Sequence, residues 1–197
     1  MEHPAKVFVA GGGIGGLTVA IALRRAGFEG AAFERTAELR EVGAGLLLDA
    51  NDQKALEKIG LDEAVAGLDT PASAGEIRSR LGEVLASIPA VELEKKVGAP
   101  TAAVHRANLQ ALLVREAGEG PLRLGAEVEA FEQDESGVTA FLAGGGEARA
   151  DILVGADGLR SKPRQPCSAL RSPATPATRP GGQWWSRRKS FCRGVRA

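Results

Sequence analysis

Apolar and polar positions along this chain alternate between two periods. Val7 to Ala10 is a continuous apolar run of strand length, and from Ile14 to Arg25 apolar residues recur along one helical face. Gly27 is placed to end that helix in the C-cap manner, and Gly30 to Phe33 is a second apolar run. This order predicts two parallel strands joined by a right-handed helical crossover. Leu46 to Leu48 predicts a short strand. Asn51 or Asp52 is expected to cap a helix through Ala55, Leu56 and Ile59 that Gly60 stops, and Asp62 begins another short helical turn. Alternation from Gly75 to Pro89 predicts strands Ile77 to Arg80 and Val84 to Ile88, with the turn near Leu81 and Gly82. Thr101 to Val104 is extended, and Arg106 to Ala117 is a helix with Leu109, Leu112 and Leu113 spaced i, i+3, i+4. Leu122 to Ala150 reads as an antiparallel meander, with strands Ala126 to Glu132 and Val138 to Leu142 and breaks at Ser136-Gly137 and Gly144 to Gly146. It leads into Asp151 to Gly155, the pattern of a buried strand. The whole predicts an α/β fold: a parallel sheet with helices, a β-meander and a smaller sheet inserted between them.

The link between the first strand and the first helix carries chemistry. Gly11, Gly13 and Gly16 have G-x-G-x-x-G spacing, set between strand and helix patterns. In such a turn one glycine permits the bend, one lets a pyrophosphate approach the backbone, and one lets the helix pack against the strand. The N–H groups and the positive dipole end of the helix then face the phosphates. Glu34 follows the second strand, 18 positions beyond Gly16, where a ribose-binding carboxylate is expected. The residues therefore point to a dinucleotide.

Composition sharpens this in one respect. The chain has 197 residues, 44% hydrophobic and 25% charged, as in a globular protein. No apolar run approaches the roughly 20 residues of a membrane span. The start MEHPAK lacks the basic and apolar regions of a signal peptide, so the cytoplasm is the expected compartment. Net charge is zero, yet Lys162 to Ala197 holds nine Lys or Arg and no Asp or Glu, leaving the preceding residues at −9. Cys167, Cys192, Trp184 and Trp185 also fall in this last stretch. His3 and His105 have no metal-ligand company, and two distant cysteines make neither a zinc site nor a redox pair, so no metal is expected.

Four segments agree on one family. VAGGGIGGLTVAIALRRAGFEGAAFER, EVGAGLLLDANDQKALEKIGL, VHRANLQALL and DILVGADGLRSKPR resemble, in order and approximate spacing, the N-terminal part of the FAD-dependent aromatic hydroxylases, the class A flavin monooxygenases. The resemblance implies a Rossmann-like FAD-binding domain over residues 1–164, with part of a mixed β substrate domain inserted at about 66–104. It implies that Gly11, Gly13 and Gly16 cradle the FAD pyrophosphate, that Glu34 accepts from the adenosine ribose, and that Arg35 lies beside the adenosine. The main chain near Leu47 would line the cofactor, and Arg106, positioned with help from His105, would reach the pyrophosphate and ribityl region. Gly155, Asp157 and Gly158 match the family's second nucleotide motif, associated with FAD and with use of NAD(P)H. The implied activity is hydroxylation of a small aromatic substrate: NAD(P)H reduces FAD, oxygen adds to give a hydroperoxyflavin, and its distal oxygen reaches the ring. The protein's part is to bind, orient and exclude water, so no catalytic side chain is nominated. An NAD(P)-binding oxidoreductase of another class, or a non-catalytic interaction protein, are the alternatives.

The resemblance stops after Arg164. The family's later Gly-Asp motif and the remaining substrate-domain sheet are not recognisable in residues 165–197, where prolines are frequent and neither period persists. A disordered end and a basic segment for nucleic acid or a membrane surface are two readings of this tail. The third, preferred because Arg, Pro, Ser, Cys and Trp are what an alternative frame of a GC-rich gene encodes, is a frame shift near Lys162. On that reading the chain is truncated, retains FAD weakly or not at all, and does not hydroxylate.

Overall fold

The computed structural model describes residues 4–39, 45–68, 70–71, 74–98, 101–118 and 120–164. Along the chain these form β1 (Lys6–Ala10), α1 (Ile14–Arg25), β2 (Glu29–Glu34), β3 (Gly45–Leu48), α2 (Ala50–Lys58), α3 (Asp62–Ala66), β4 (Thr70–Pro71), β5 (Ala74–Arg78), β6 (Val84–Pro89), α4 (Ala90–Val97), β7 (Ala102–His105), α5 (Arg106–Ala117), β8 (Leu122–Leu124), β9 (Val128–Asp134), β10 (Gly137–Leu142), β11 (Gly146–Ala150) and β12 (Ile152–Gly155). Two compact units divide the chain, one of residues 1–38 with 117–197 and the other of residues 39–116.

The first unit is built on a four-stranded parallel sheet ordered β12-β1-β2-β8. β1 is central and buried from Val7 to Ala10, as a parallel strand covered on both faces must be. Its Phe8 and Ala10 join Ala31 and Phe33 of β2 in a core with Val128, Val138, Ala140 and Ala150 of the antiparallel β9-β10-β11 sheet. The Phe8 and Phe33 rings meet edge to face at 4.9 Å, a contact worth about 0.5–1.5 kcal/mol beyond the area it buries. α1 buries Gly16, Leu17 and Ile21.

The second unit holds an antiparallel sheet ordered β3-β7-β4 and a β5-β6 hairpin. The hairpin's Ile77, Val84 and Leu85 are exposed on both faces of the ribbon. No helix among the described residues is long and apolar enough to cross a membrane.

Several expectations are met closely. α1 and α5 have the expected bounds, and β9 to β11 form the expected meander. Four details are corrected. β8 is not part of the meander but pairs in parallel with β2, because residues 122–124 extend the sheet edge before the chain turns at Gly125. α2 is capped at Asp49 rather than Asn51 or Asp52: Asp52 sits in the first turn and accepts the Asp49 N–H at 3.0 Å. β5 ends at Arg78, since Ser79 opens the turn by donating its N–H to the Glu83 carbonyl at 2.8 Å. α4 was not expected at all; it is short, and Glu92, Glu94, Lys95 and Lys96 make half of its eight residues charged. His3 and the tail 165–197 lie outside the described residues.

Candidate functional site

The site begins where β1 runs out. Gly11 N–H donates to the Phe33 carbonyl at 2.7 Å, prolonging the β1-β2 ladder by one bond before the chain turns. Gly11 then adopts φ +110°, and a Cβ there would lie 2.3 Å from the Ala156 carbonyl oxygen. A side chain is excluded twice, by conformation and by the close approach of the segment after β12. Gly16 faces the same constraint from the helix side: a Cβ would lie 1.9 Å from the Gly11 carbonyl oxygen. The two glycines thus let turn, helix and the 156–157 backbone pack against one another.

Gly13 is the N-cap of α1, and the Leu17 N–H donates to its carbonyl at 2.9 Å. With no side chain at the cap and no acidic residue in the first turn, the leading N–H groups are not capped by α1's own side chains. A positive helix end therefore stays open to an anion.

Glu34, the last residue of β2, turns back toward this turn. Its Oε2 accepts the Gly12 N–H at 2.7 Å, and its Oε1 accepts the Thr36 N–H at 3.0 Å and the Thr36 hydroxyl at 3.2 Å. Arg35 is exposed beside it.

On the other side, β12 continues past Gly155 into the Asp157-Gly158 segment, with the Ala156 N–H on the Ala10 carbonyl at 2.7 Å. Asp157 Oδ2 accepts the Lys162 N–H at 2.7 Å, while Oδ1 is buried and has no hydrogen-bond partner among the described residues. Leaving a buried carboxylate oxygen unsatisfied costs about 1–3 kcal/mol, so a donor from a ligand would be gained there without loss elsewhere. Asp157 also borders a cleft of about 700 Å³ shared with Phe131, Val138, Leu153, Ser161 and Pro163.

Gly11, Gly13, Gly16, Glu34, Arg35, Gly155, Asp157 and Gly158 all belong to the first unit. Leu47 and Arg106 belong to the second: Leu47 is 65% exposed on β3, opposite Ala103, and Arg106 is half-buried at the start of α5. Sequence reasoning missed the roles of Gly12 and Thr36. Gly12 carried a signal, as the middle of three consecutive glycines; Thr36 carried none beyond its closeness to Glu34.

A ligand fitting these groups would bring a diphosphate to the glycine turn, a hydroxyl for Glu34 and a donor for Asp157. The family model described as an FAD binding domain matches residues 4–176. Aurachin C monooxygenase/isomerase of Stigmatella aurantiaca is 44% identical over 164 residues, covering 83% of this chain and 43% of its own length. The 3-hydroxybenzoate 6-hydroxylase of Polaromonas naphthalenivorans is 33% identical over 171 residues, covering 83% of this chain and 43% of its own. The crystal structure of Klebsiella pneumoniae HpxO complexed with FAD and uric acid superposes with a TM-score of 0.76 at 29% identity, over 81% of this chain and 41% of that one. The chain spans about two-fifths of the length of these relatives.

Proposed function

The chain belongs to the FAD binding domain family, and on that premise we propose that it is the cofactor-binding portion of a monooxygenase that hydroxylates a small aromatic substrate with NAD(P)H and molecular oxygen. The observation that carries the cofactor reading is the Glu34 carboxylate, fixed at 2.7 Å from the Gly12 N–H within the glycine turn. This supports the reading of Glu34 as an acceptor for ribose hydroxyls beside backbone that would receive a pyrophosphate. The aromatic substrate class rests on the relatives, named as hydroxylases of hydroxybenzoate and urate.

Gly11, Gly13 and Gly16 would hold the pyrophosphate against the open end of α1, Glu34 the adenosine ribose, and Arg35 the adenosine. Gly155, Asp157 and Gly158 would form the second contact, with the orphaned Asp157 Oδ1 accepting a hydroxyl. Leu47 and Arg106 are read as further contacts to the cofactor. Residues 1–164 are read as the FAD-binding domain with substrate-domain residues at about 66–104, in a protein of the cytoplasm. When bound, FAD supplies electron transfer from NAD(P)H and oxygen transfer to the ring. The chain's residues bind and orient it, and the buried β1 core behind the turn keeps water from one side of the site.

The test is a titration of the purified chain with FAD, followed by flavin fluorescence, with NAD(P)H oxidation measured in the presence of candidate phenols. Saturable FAD binding that Glu34→Gln weakens is the expected result. Binding indifferent to Glu34, or none at millimolar FAD, would reject the cofactor site. Hydroxylation is assigned to a chain of the relatives' full length, and substrate-stimulated turnover by these 197 residues alone would overturn that assignment.

A further inference from the structure

The Glu34 carboxylate is held more completely than a ribose ligand requires. An ionised carboxylate offers about four acceptor positions. Gly12 N–H takes one on Oε2, and the Thr36 N–H and hydroxyl take two on Oε1. One position remains, and it lies on Oε2, the oxygen next to the glycine turn.

Thr36 is itself fixed. Its carbonyl accepts the Gly125 N–H at 2.9 Å, and the Glu34 carbonyl accepts the Ala126 N–H at 2.8 Å. Both ends of the Glu34-Arg35-Thr36 turn are therefore tied to the connection between β8 and β9. This anchorage is backbone to backbone, so it survives changes of the Thr36 side chain. Only the hydroxyl bond to Oε1 depends on residue 36 being Thr or Ser. A glutamate side chain with three rotatable bonds otherwise loses conformational freedom when a ligand engages it, and a carboxylate already oriented avoids part of that cost.

We propose that Thr36 is a positioning residue: its hydroxyl, together with its N–H, fixes Oε1 so that Glu34 presents Oε2, beside Gly12, to one hydroxyl of the adenosine ribose. The inference rests on the reading of Glu34 as the ribose ligand and adds to it a residue and a count.

The test uses the full chain and calorimetric titration with ADP, 2′-deoxy-ADP and 3′-deoxy-ADP, on the wild type, Thr36→Val and Thr36→Ser. The wild type should lose affinity for one deoxy analogue and not for the other. Thr36→Val should weaken ADP binding roughly two- to ten-fold, the worth of one hydrogen bond. It should leave unchanged the binding of the analogue lacking the recognised hydroxyl, and Thr36→Ser should restore ADP affinity. A Thr36→Val chain that matches the wild type overturns the proposal. So does one weakened for ADP and that analogue alike, which would mark Thr36 as merely structural, and so does a wild type that loses affinity for both analogues. A wild type that binds all three ligands equally, or none, removes Glu34 from the ribose site and so rejects the underlying reading instead.

Discussion

Glu34 Oε2 and the Gly12 N–H stand 2.7 Å apart, joining residues 22 positions distant across the end of β1. The bond ties the carboxylate to the same glycine turn that opens α1. Replacing Glu34 with Gln keeps an acceptor oxygen and removes the charge, and hydrogen bonds to charged groups are worth about 1.5–3 kcal/mol. Glu34→Gln is therefore expected to weaken ADP and FAD binding roughly ten- to a hundred-fold, measured by calorimetry. Affinities equal to the wild type would mean that the carboxylate reads nothing on the ligand.

The adjacent glycines Gly15 and Gly16 should respond to alanine with opposite signs. A Cβ on Gly16 meets the Gly11 carbonyl oxygen at 1.9 Å, backbone against backbone, whereas a Cβ on Gly15 has nothing within 4 Å. Gly16→Ala forces the turn and helix apart and should cost about 1–3 kcal/mol. Gly15→Ala, in an exposed first turn of α1, should be neutral or stabilise by up to about 1 kcal/mol through reduced freedom of the unfolded chain. Urea unfolding of both variants decides it, and two shifts of the same sign would contradict the packing described for Gly16.

How much of this was legible in the sequence depended on whether a local signal fixed each feature. The bounds of α1 were readable because a glycine cluster opens it and Gly27 closes it. The parallel pairing of β1 with β2 was implied by two apolar runs joined by a helix, whereas the pairing of β12 with β1 was not, and β12, expected to be a buried strand, leaves Ile152 exposed. β8 was misplaced because three residues, Leu122 to Leu124, carry no period, and their partner β2 lies some ninety residues earlier. Thr36 was invisible for another reason: its bond to Glu34 arises from a turn held by Gly125 and Ala126, and no spacing rule encodes that.

Asp157 offers a contrast between binding and stability. Its Oδ2 holds the Lys162 N–H, while the buried Oδ1 has no partner among the described residues. In Asp157→Asn the amide oxygen can keep the Lys162 bond, and the charged oxygen that lacks a donor is gone. FAD affinity should fall by about ten-fold, one charge-assisted hydrogen bond, while the urea midpoint of the unliganded chain stays the same or rises. Fluorescence titration and denaturation measure the two separately. Unchanged FAD affinity would place Asp157 outside the cofactor's contacts, and a large loss of stability would make its role structural.

Acid stability is set by the meander rather than the glycine turn. Asp134 has its carboxyl lowered from the ordinary 3.8 to about 2, first by the Ser136 hydroxyl, then by the Arg149 guanidinium and the Ser136 N–H. Arg149 reaches both carboxylate oxygens, at 2.8 and 3.1 Å, and also donates to the Thr139 hydroxyl at 2.9 Å, so the cluster bridges β9, β10 and β11. A group whose folded-state pKa is depressed adds stability that is complete above the unfolded value, near 3.8, and disappears as pH falls through the folded value, about 2. The wild type should accordingly be more stable than Asp134→Asn at neutral pH, and the gap between their urea midpoints should hold down to roughly pH 5 and close toward pH 2. Because the carboxylate is exposed, the gap should also shrink in high salt, where exposed charges are screened. A gap that persists unchanged at pH 2 would assign the stability to hydrogen bonds that Asn reproduces poorly at every pH, not to the ionised carboxylate.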